Sequence, residues 1–370
     1  MKRTLLALTL GGLLSSTGAL ASNVEVYGVL DYGLTWQQND AVDGTSESSL
    51  KMLSGQYIGS RVGIKGSEDL GNGLKVGFVL ENGFATDTGA LGQGDRLFGR
   101  DARVYLDGRF GYLSFGRMGS LVGGNGPYAR FGHVVSPFSC GWGDLGGHLQ
   151  VVSLGYEFID NAIGYTTPKF GNVDATVQYS FGTDVNAYGD GTEGKSSDRL
   201  LSGAVRFQND ALMVAAGIET INHAQLSAGE ANLDDAVSYN LGANYNTGWA
   251  KFFFYTQIFE NYTAAAKTTT FSDAGGVDGF GINVGIEFPA LNGTVKAGFG
   301  YGDFEASRDA KLTMDTCQTT VGYLYSLSKL TTLYTAANWI HSDYSDAYAE
   351  AHPSAAENVY AVTFGIVKKF

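Results

Sequence analysis

The chain has 370 residues and a formal net charge of −13, with 37 acidic side chains against 24 lysines and arginines. That balance excludes a nucleic-acid partner, since a phosphate backbone demands a basic face. Fifty-three glycines, 21 tyrosines and 22 phenylalanines beside five prolines fit an aromatic-rich β protein and exclude a disordered chain.

The first element is Met1-Lys2-Arg3-Thr4, an apolar run from Leu5, and Ala19-Leu20-Ala21. A basic head, a short apolar stretch and a small-x-small site predict a secretory signal peptide over residues 1–21, cleaved after Ala21. The run is broken by Gly11, Gly12, Ser15, Ser16 and Gly18, which argues against a membrane anchor. Cleavage removes Lys2 and Arg3 and no acid, taking the formal charge from −13 to −15 over residues 22–370.

From Val24 the chain alternates with a period of two. Val24, Val26, Leu30, Tyr32, Leu34 and Trp36 share one face, while Glu25, Tyr27, Asp31 and Thr35 share the other. Leu74, Val76, Phe78 and Leu80 repeat the pattern opposite Lys75 and Glu81, as do Tyr360, Val362, Phe364 and Ile366 near the terminal Phe370. Each segment is about ten residues long, enough to cross a bilayer when tilted. Sixteen such strands are predicted, at 24–36, 57–68, 74–83, 99–108, 111–117, 157–167, 173–182, 198–208, 211–221, 235–246, 249–259, 277–288, 294–303, 312–326, 330–341 and 356–370.

Tight connections such as Asp69 to Gly73, Asn246 to Gly248 and Leu327 to Lys329 alternate with long ones such as Gln37 to Gln56, Glu260 to Gly276 and Phe304 to Lys311. Short turns on one side and long loops on the other are the sidedness of an outer-membrane barrel. A soluble sandwich also alternates, but sixteen half-apolar strands would need a very large shared core, whereas a barrel buries them against lipid and leaves no edge. Trp36, Trp249 and Trp339 near predicted strand ends fit interfacial girdles.

One stretch breaks the pattern. Met118 to Tyr156 carries Pro127, Pro137 and Cys140 among dense glycines, with Tyr128, Phe131, Phe138 and Trp142 as anchors. A loop this long is usually functional, and it is expected to tuck inside the wall as a constriction loop.

Several runs resemble the general trimeric porins of Gram-negative proteobacteria: GSRVGIKGSEDLGNGLKVGFVLENGF (Gly59 to Phe84), VYGVLDYGL near the start of the barrel, LFGRDARVYL (Leu97 to Leu106), GYLSFGRMGS, DNAIGYTTPKFG (Asp160 to Gly171), YSLSKLTTLY (Tyr325 to Tyr334) and the closing Phe370. The resemblance implies an all-β fold, a sixteen-stranded antiparallel transmembrane barrel whose third external loop narrows the lumen. It also implies a homotrimer in the outer membrane, in contact with lipid and lipopolysaccharide and passing ions and small hydrophilic solutes without a cofactor. With Val62 and Ile64 toward lipid, Arg61 and Lys65 point inward, and by resemblance Arg61, Arg100 and Arg117 form the basic wall of the eyelet. Asp144 is the candidate acid facing them from the loop. The plainer expectation is that these arginines pair with strand carboxylates such as Asp31, Glu81 or Asp101.

In one place the chain departs from the family. An arginine often stands two residues before the aspartate of the DNxIxY motif, and here that residue is Phe158. A basic rung is missing, and loop acids such as Asp40, Asp43, Glu47, Asp184 and Asp190 would concentrate cations in the vestibule. The expectation is therefore weak selectivity leaning toward cations.

The remaining signals are poor. His133, His148, His223, His341 and His352 show no metal spacing. Cys140 and Cys317 are either a disulfide pinning the loop to the wall or two unrelated thiols. Gly123 to Gly126 follows no strand–helix unit and reads as loop. Three functions stand: a general diffusion porin; a substrate-selective channel in which the loop aromatics form a sugar-stacking track; or a barrel scaffold for a receptor, adhesin or enzyme. No nucleophile–base pair supports the enzyme.

Overall fold

The computed structural model describes residues 23–138, 142, 146–183, 197–224, 233–273 and 275–370, so the expected signal peptide lies outside the described residues. In chain order the strands are β1 (Asn23–Ala41), β2 (Ser46–Ser54), β3 (Arg61–Gly71), β4 (Leu74–Gly83), β5 (Asp101–Gly108), β6 (Gly111–Gly119), β7 (Phe158–Thr166), β8 (Val173–Ser180) and β9 (Arg199–Gln208). They continue as β10 (Leu212–Asn222), β11 (Ala236–Asn246), β12 (Lys251–Tyr262), β13 (Val277–Ala290), β14 (Gly293–Ala306), β15 (Asp309–Ser328), β16 (Thr331–Tyr344) and β17 (Ala356–Lys369), with a short helix, α1 (Asp346–Ala351), between β16 and β17.

Apart from β2 and β3, which both pair with β1, consecutive strands pair antiparallel, and β17 closes the ring on β1 with Leu34 opposite Phe364 and Tyr32 opposite Ile366. These seventeen strands make sixteen staves. The upper half of β1 pairs with β2, Tyr32 opposite Ser54, and its lower half pairs with β3, Val29 opposite Arg61. Residues 55–60 interrupt this second stave and turn inward, where both Tyr57 and Ile58 donate backbone N–H bonds to Asp31 at 2.7 Å.

The alternation is physical sorting. Val24, Leu34, Val62, Ile64, Val104, Phe115, Val205, Val284, Val321 and Phe364 face outward and exposed, an apolar belt that only lipid or another apolar surface can cover. Phe110, Phe170, Tyr245, Trp249, Tyr325 and Phe370 gather at the short-turn end, and Trp36, Trp339 and Tyr360 ring the other, as girdles require.

The wall differs from expectation at the long-loop end. Gln37 to Gln56 and Phe304 to Lys311 are not loops: β1–β2 turns within residues 42–45 and β14–β15 within residues 307–308. Both hairpins rise above the apolar belt, where neither face meets lipid and side-chain alternation no longer reports the strand.

Inside the barrel runs the long loop between β6 and β7. Leu121, Tyr128, Phe131, Phe138, Trp142 and Val151 are fully buried and pack on the inner wall, each adding about 1.5–3 kcal/mol when withdrawn from water. The wall makes room with small residues. A Cβ at Gly281 on β13 would overlap the Val151 carbonyl oxygen, and one at Gly322 on β15 would meet the Trp142 ring at 2.8 Å.

Candidate functional site

The loop and the β3–β5 wall enclose a cavity of about 930 Å³. On the wall side it is lined by Arg61, Glu81, Arg100 and Asp101; the inserted loop contributes Asn125, Leu154 and Glu157. Residues 55–59, the break in the second stave, line a third side through Tyr57 and Ile58. Tyr57 is held by Asp31 below and by aromatic contact with Trp142 at 5.0 Å and Tyr334 at 5.6 Å.

Glu81 is the hub of the basic wall. Arg100 Nε donates to its Oε1 at 2.6 Å, Tyr27 donates its hydroxyl to Oε2 at 2.8 Å, and Arg61 stands 3.8 Å away. A carboxylate between two guanidiniums in so confined a place cancels much of their field. Asp101 is taken by Arg103 at 2.8 Å.

The expected residues separate on this geometry. Arg61 and Arg100 line the cavity. Lys65 faces inward four residues further down β3, about 13 Å at strand rise; it pairs with Glu25 at 3.2 Å and sits over the Tyr27 ring, below the cavity. Arg117 is drawn away: it bonds Asp160 at 2.6 Å and the Gly99 carbonyl at 2.7 Å, and it does not line the cavity. Asp160 also takes Arg96, at 2.7 Å. Phe158, where the basic rung is missing, lies under two guanidiniums, 5.1 Å from Arg100 and 5.7 Å from Arg117. Its ring face offers each a cation–π contact where an arginine would repel them.

Asp144 and Cys140 lie outside the described residues. Cys317 is a free cysteine on the outward-facing side of β15, since its neighbours Thr316 and Gln318 are the buried, inward ones. Among the described residues, the acid that the loop brings to the cavity is Glu157. The loop aromatics do not form a sugar-stacking track: Tyr128, Phe131, Phe138 and Trp142 are each 0% exposed, their faces spent on the wall. No group of three or more His, Cys, Asp or Glu suited to a metal exists among the described residues.

Two features escaped the sequence. Residues 57–60 of the inward break read there as the start of a strand, and only the Asp31 anchor shows otherwise. Residues 263–273, between β12 and β13, also reach the cavity, with Ala265, Ala266 and Lys267 in its lining.

The family model described as Gram-negative porin matches residues 4–345. Outer membrane porin protein 32 of Delftia acidovorans is 31% identical over 353 residues, covering 90% of this chain and 88% of the relative. An outer membrane porin protein of Bordetella pertussis is 29% identical over 322 residues, covering 82% and 77%. Among solved structures, the anion-selective porin from Comamonas acidovorans superposes with a TM-score of 0.70 at 24% identity, covering 94% of this chain and 99% of the other. Matched along nearly its whole length by sequence relatives and solved barrels alike, the chain belongs to the Gram-negative porin family and is an outer-membrane β-barrel that forms a water-filled channel for ions and small hydrophilic solutes.

Proposed function

We propose that solutes pass through an eyelet bounded by Arg61 and Arg100 on the wall, Tyr57 and Ile58 on the inward break, and the Asn125 and Glu157 edges of the inserted loop. On this reading the filter is weakly selective. The observation that carries it is the bonding of Glu81 to Arg100 at 2.6 Å with Arg61 at 3.8 Å, which offsets one of the two guanidinium charges, while Asp101 supplies a second carboxylate to the same lining. The likeness to an anion-selective porin is one of fold at 24% identity, and Phe158 occupies the place of a further cation.

The channel works as a homotrimer embedded in outer-membrane lipid and lipopolysaccharide, a reading supported by the family and by the continuous apolar belt. It needs no catalytic step, because permeation depends on charge and width alone. Burial of the loop aromatics favours general diffusion over a substrate-selective sugar channel.

Planar-bilayer recording under a salt gradient tests this. The wild type is expected to show conductance steps in threes and a reversal potential near zero. Glu81→Gln frees two guanidiniums from their shared carboxylate, so the anion-to-cation permeability ratio should rise at least about twofold, the weight of one unit charge at ~10 Å in water. An unchanged ratio in folded protein would remove Glu81 and its arginines from the ion path.

A further inference from the structure

The loop between β12 and β13 does not stand outside the barrel as an external loop would. It lies along the returning limb of the inserted loop and bonds to it through backbone and side chain. Ala266 N donates to the Val152 carbonyl at 3.3 Å and Lys267 N to the Leu149 carbonyl at 3.0 Å. Gln150 spans the same junction in both directions, accepting from Thr268 N at 2.8 Å and donating to Thr268 Oγ1 at 2.5 Å. Ser153 Oγ donates to the Ala264 carbonyl at 2.6 Å.

The far side of the loop is pinned as well. Phe271 is fully buried and packs on Tyr348 of α1 with ring centroids 4.7 Å apart, and Ser345 caps that helix by accepting from Tyr348 N. Alanines at 264–266 allow close approach to the inserted loop, and 265 and 266 are buried. Lys267, next in sequence, is exposed and lines the same cavity as Glu81, Arg100 and Glu157. A segment held on both sides has little freedom to swing out, and a lysine at its tip stays at the pore.

We infer that residues 263–273 form a second constriction segment, docked on the inserted loop, and that Lys267 is a specificity-determining residue of the permeation path. This rests on the eyelet reading above. Lys267 places a cation in the lining that Glu157 also enters, so the charge that ions meet at this level depends on the side chain at position 267. The weak selectivity of the channel is then a balance in which this one side chain counts.

The test is the permeability ratio of Lys267→Glu and Lys267→Gln in planar bilayers under a potassium chloride gradient, with Glu81→Gln in parallel and heat-modifiable electrophoretic mobility as the check on folding. Lys267→Glu should shift the ratio toward cations by about twofold or more and Lys267→Gln by roughly half that logarithm, at similar conductance. If both lysine variants keep the wild-type ratio while Glu81→Gln moves it, the second loop is no part of the filter and the eyelet stands. If none of the three moves it, both readings fall. Gln150→Ala gives an independent readout: losing the clasp should increase open-channel current fluctuations, and a trace as quiet as wild type would overturn the docking role.

Discussion

At the scale of single residues, the chemistry of the wall was legible in type but not in partnership. Arg61 and Arg100 announce themselves by alternation against Val62 and by motif, yet nothing in spacing says that one carboxylate, Glu81, serves both. Arg117 carries the same signal and is nonetheless held off the path by Asp160, at the point where the β6–β7 register shifts between Gly116 and Met118. His148 shows no metal spacing in the sequence, and nothing there foretells its environment. It is fully buried against the Tyr255 ring at 5.0 Å, and neither ring nitrogen has a hydrogen-bond partner. Burial lowers its pKa from 6.5 to about 4, so the docked loop holds a neutral imidazole. A loop lifted from the wall would titrate near 6.5, and docking therefore loses stability as pH falls from about 6.5 to about 4. The loss is of order 3 kcal/mol once complete. Open-channel fluctuations should grow across that window in wild type, and His148→Leu should flatten the dependence; an equally pH-sensitive leucine variant would assign the effect elsewhere.

At the scale of elements, strands were legible wherever lipid enforces the period of two and illegible wherever it does not. The polar run Gln37-Gln38-Asn39-Asp40 pairs as strand with residues 46–49, but outside the bilayer both of its faces meet water and the pattern carries no information. Residues 57–60 failed for the opposite reason, since Tyr57 and Ile58 look like strand and are bent inward by a tertiary contact to Asp31. The inserted loop was legible as an exception, through its prolines, glycines and aromatics. Its docking depends on inner-wall glycines that sequence alone cannot aim. Gly281 is the sharpest case, lying against the Val151 carbonyl of the returning limb. Gly281→Ala should leave the barrel closed, because the alanine fits a strand, while displacing that limb. The expected result is normal heat-modifiable mobility with single-channel conductance changed by tens of per cent and noisier; a variant with wild-type conductance and noise would mean that the limb yields without moving the eyelet.

At the scale of the whole molecule, two fields compete over the ion path. The described residues lining the cavity include four cations, Arg61, Arg100, Lys267 and Lys369, and three carboxylates, Glu81, Asp101 and Glu157, so the eyelet is close to balanced. The rim is acidic: Asp40 and Asp43 are held ionised, their carboxyls below the usual range through hydrogen bonds from Ser46 and Gln38 and from Thr45 respectively, and the chain carries a net −13. A surface field of this kind reaches about 10 Å at 0.1 M salt and about 3 Å at 1 M. At low salt the vestibule should therefore enrich cations before they meet the nearly neutral eyelet, and at high salt that enrichment should vanish. Reversal potentials measured at a fixed gradient but rising mean concentration should move from a modest cation preference toward the ratio of bulk mobilities by about 1 M. A preference that persists undiminished at 1 M would place the filter in close contact with the ion, at Lys267, Arg61 or Arg100, and an anion preference at 0.1 M would mean that those cations outweigh the rim.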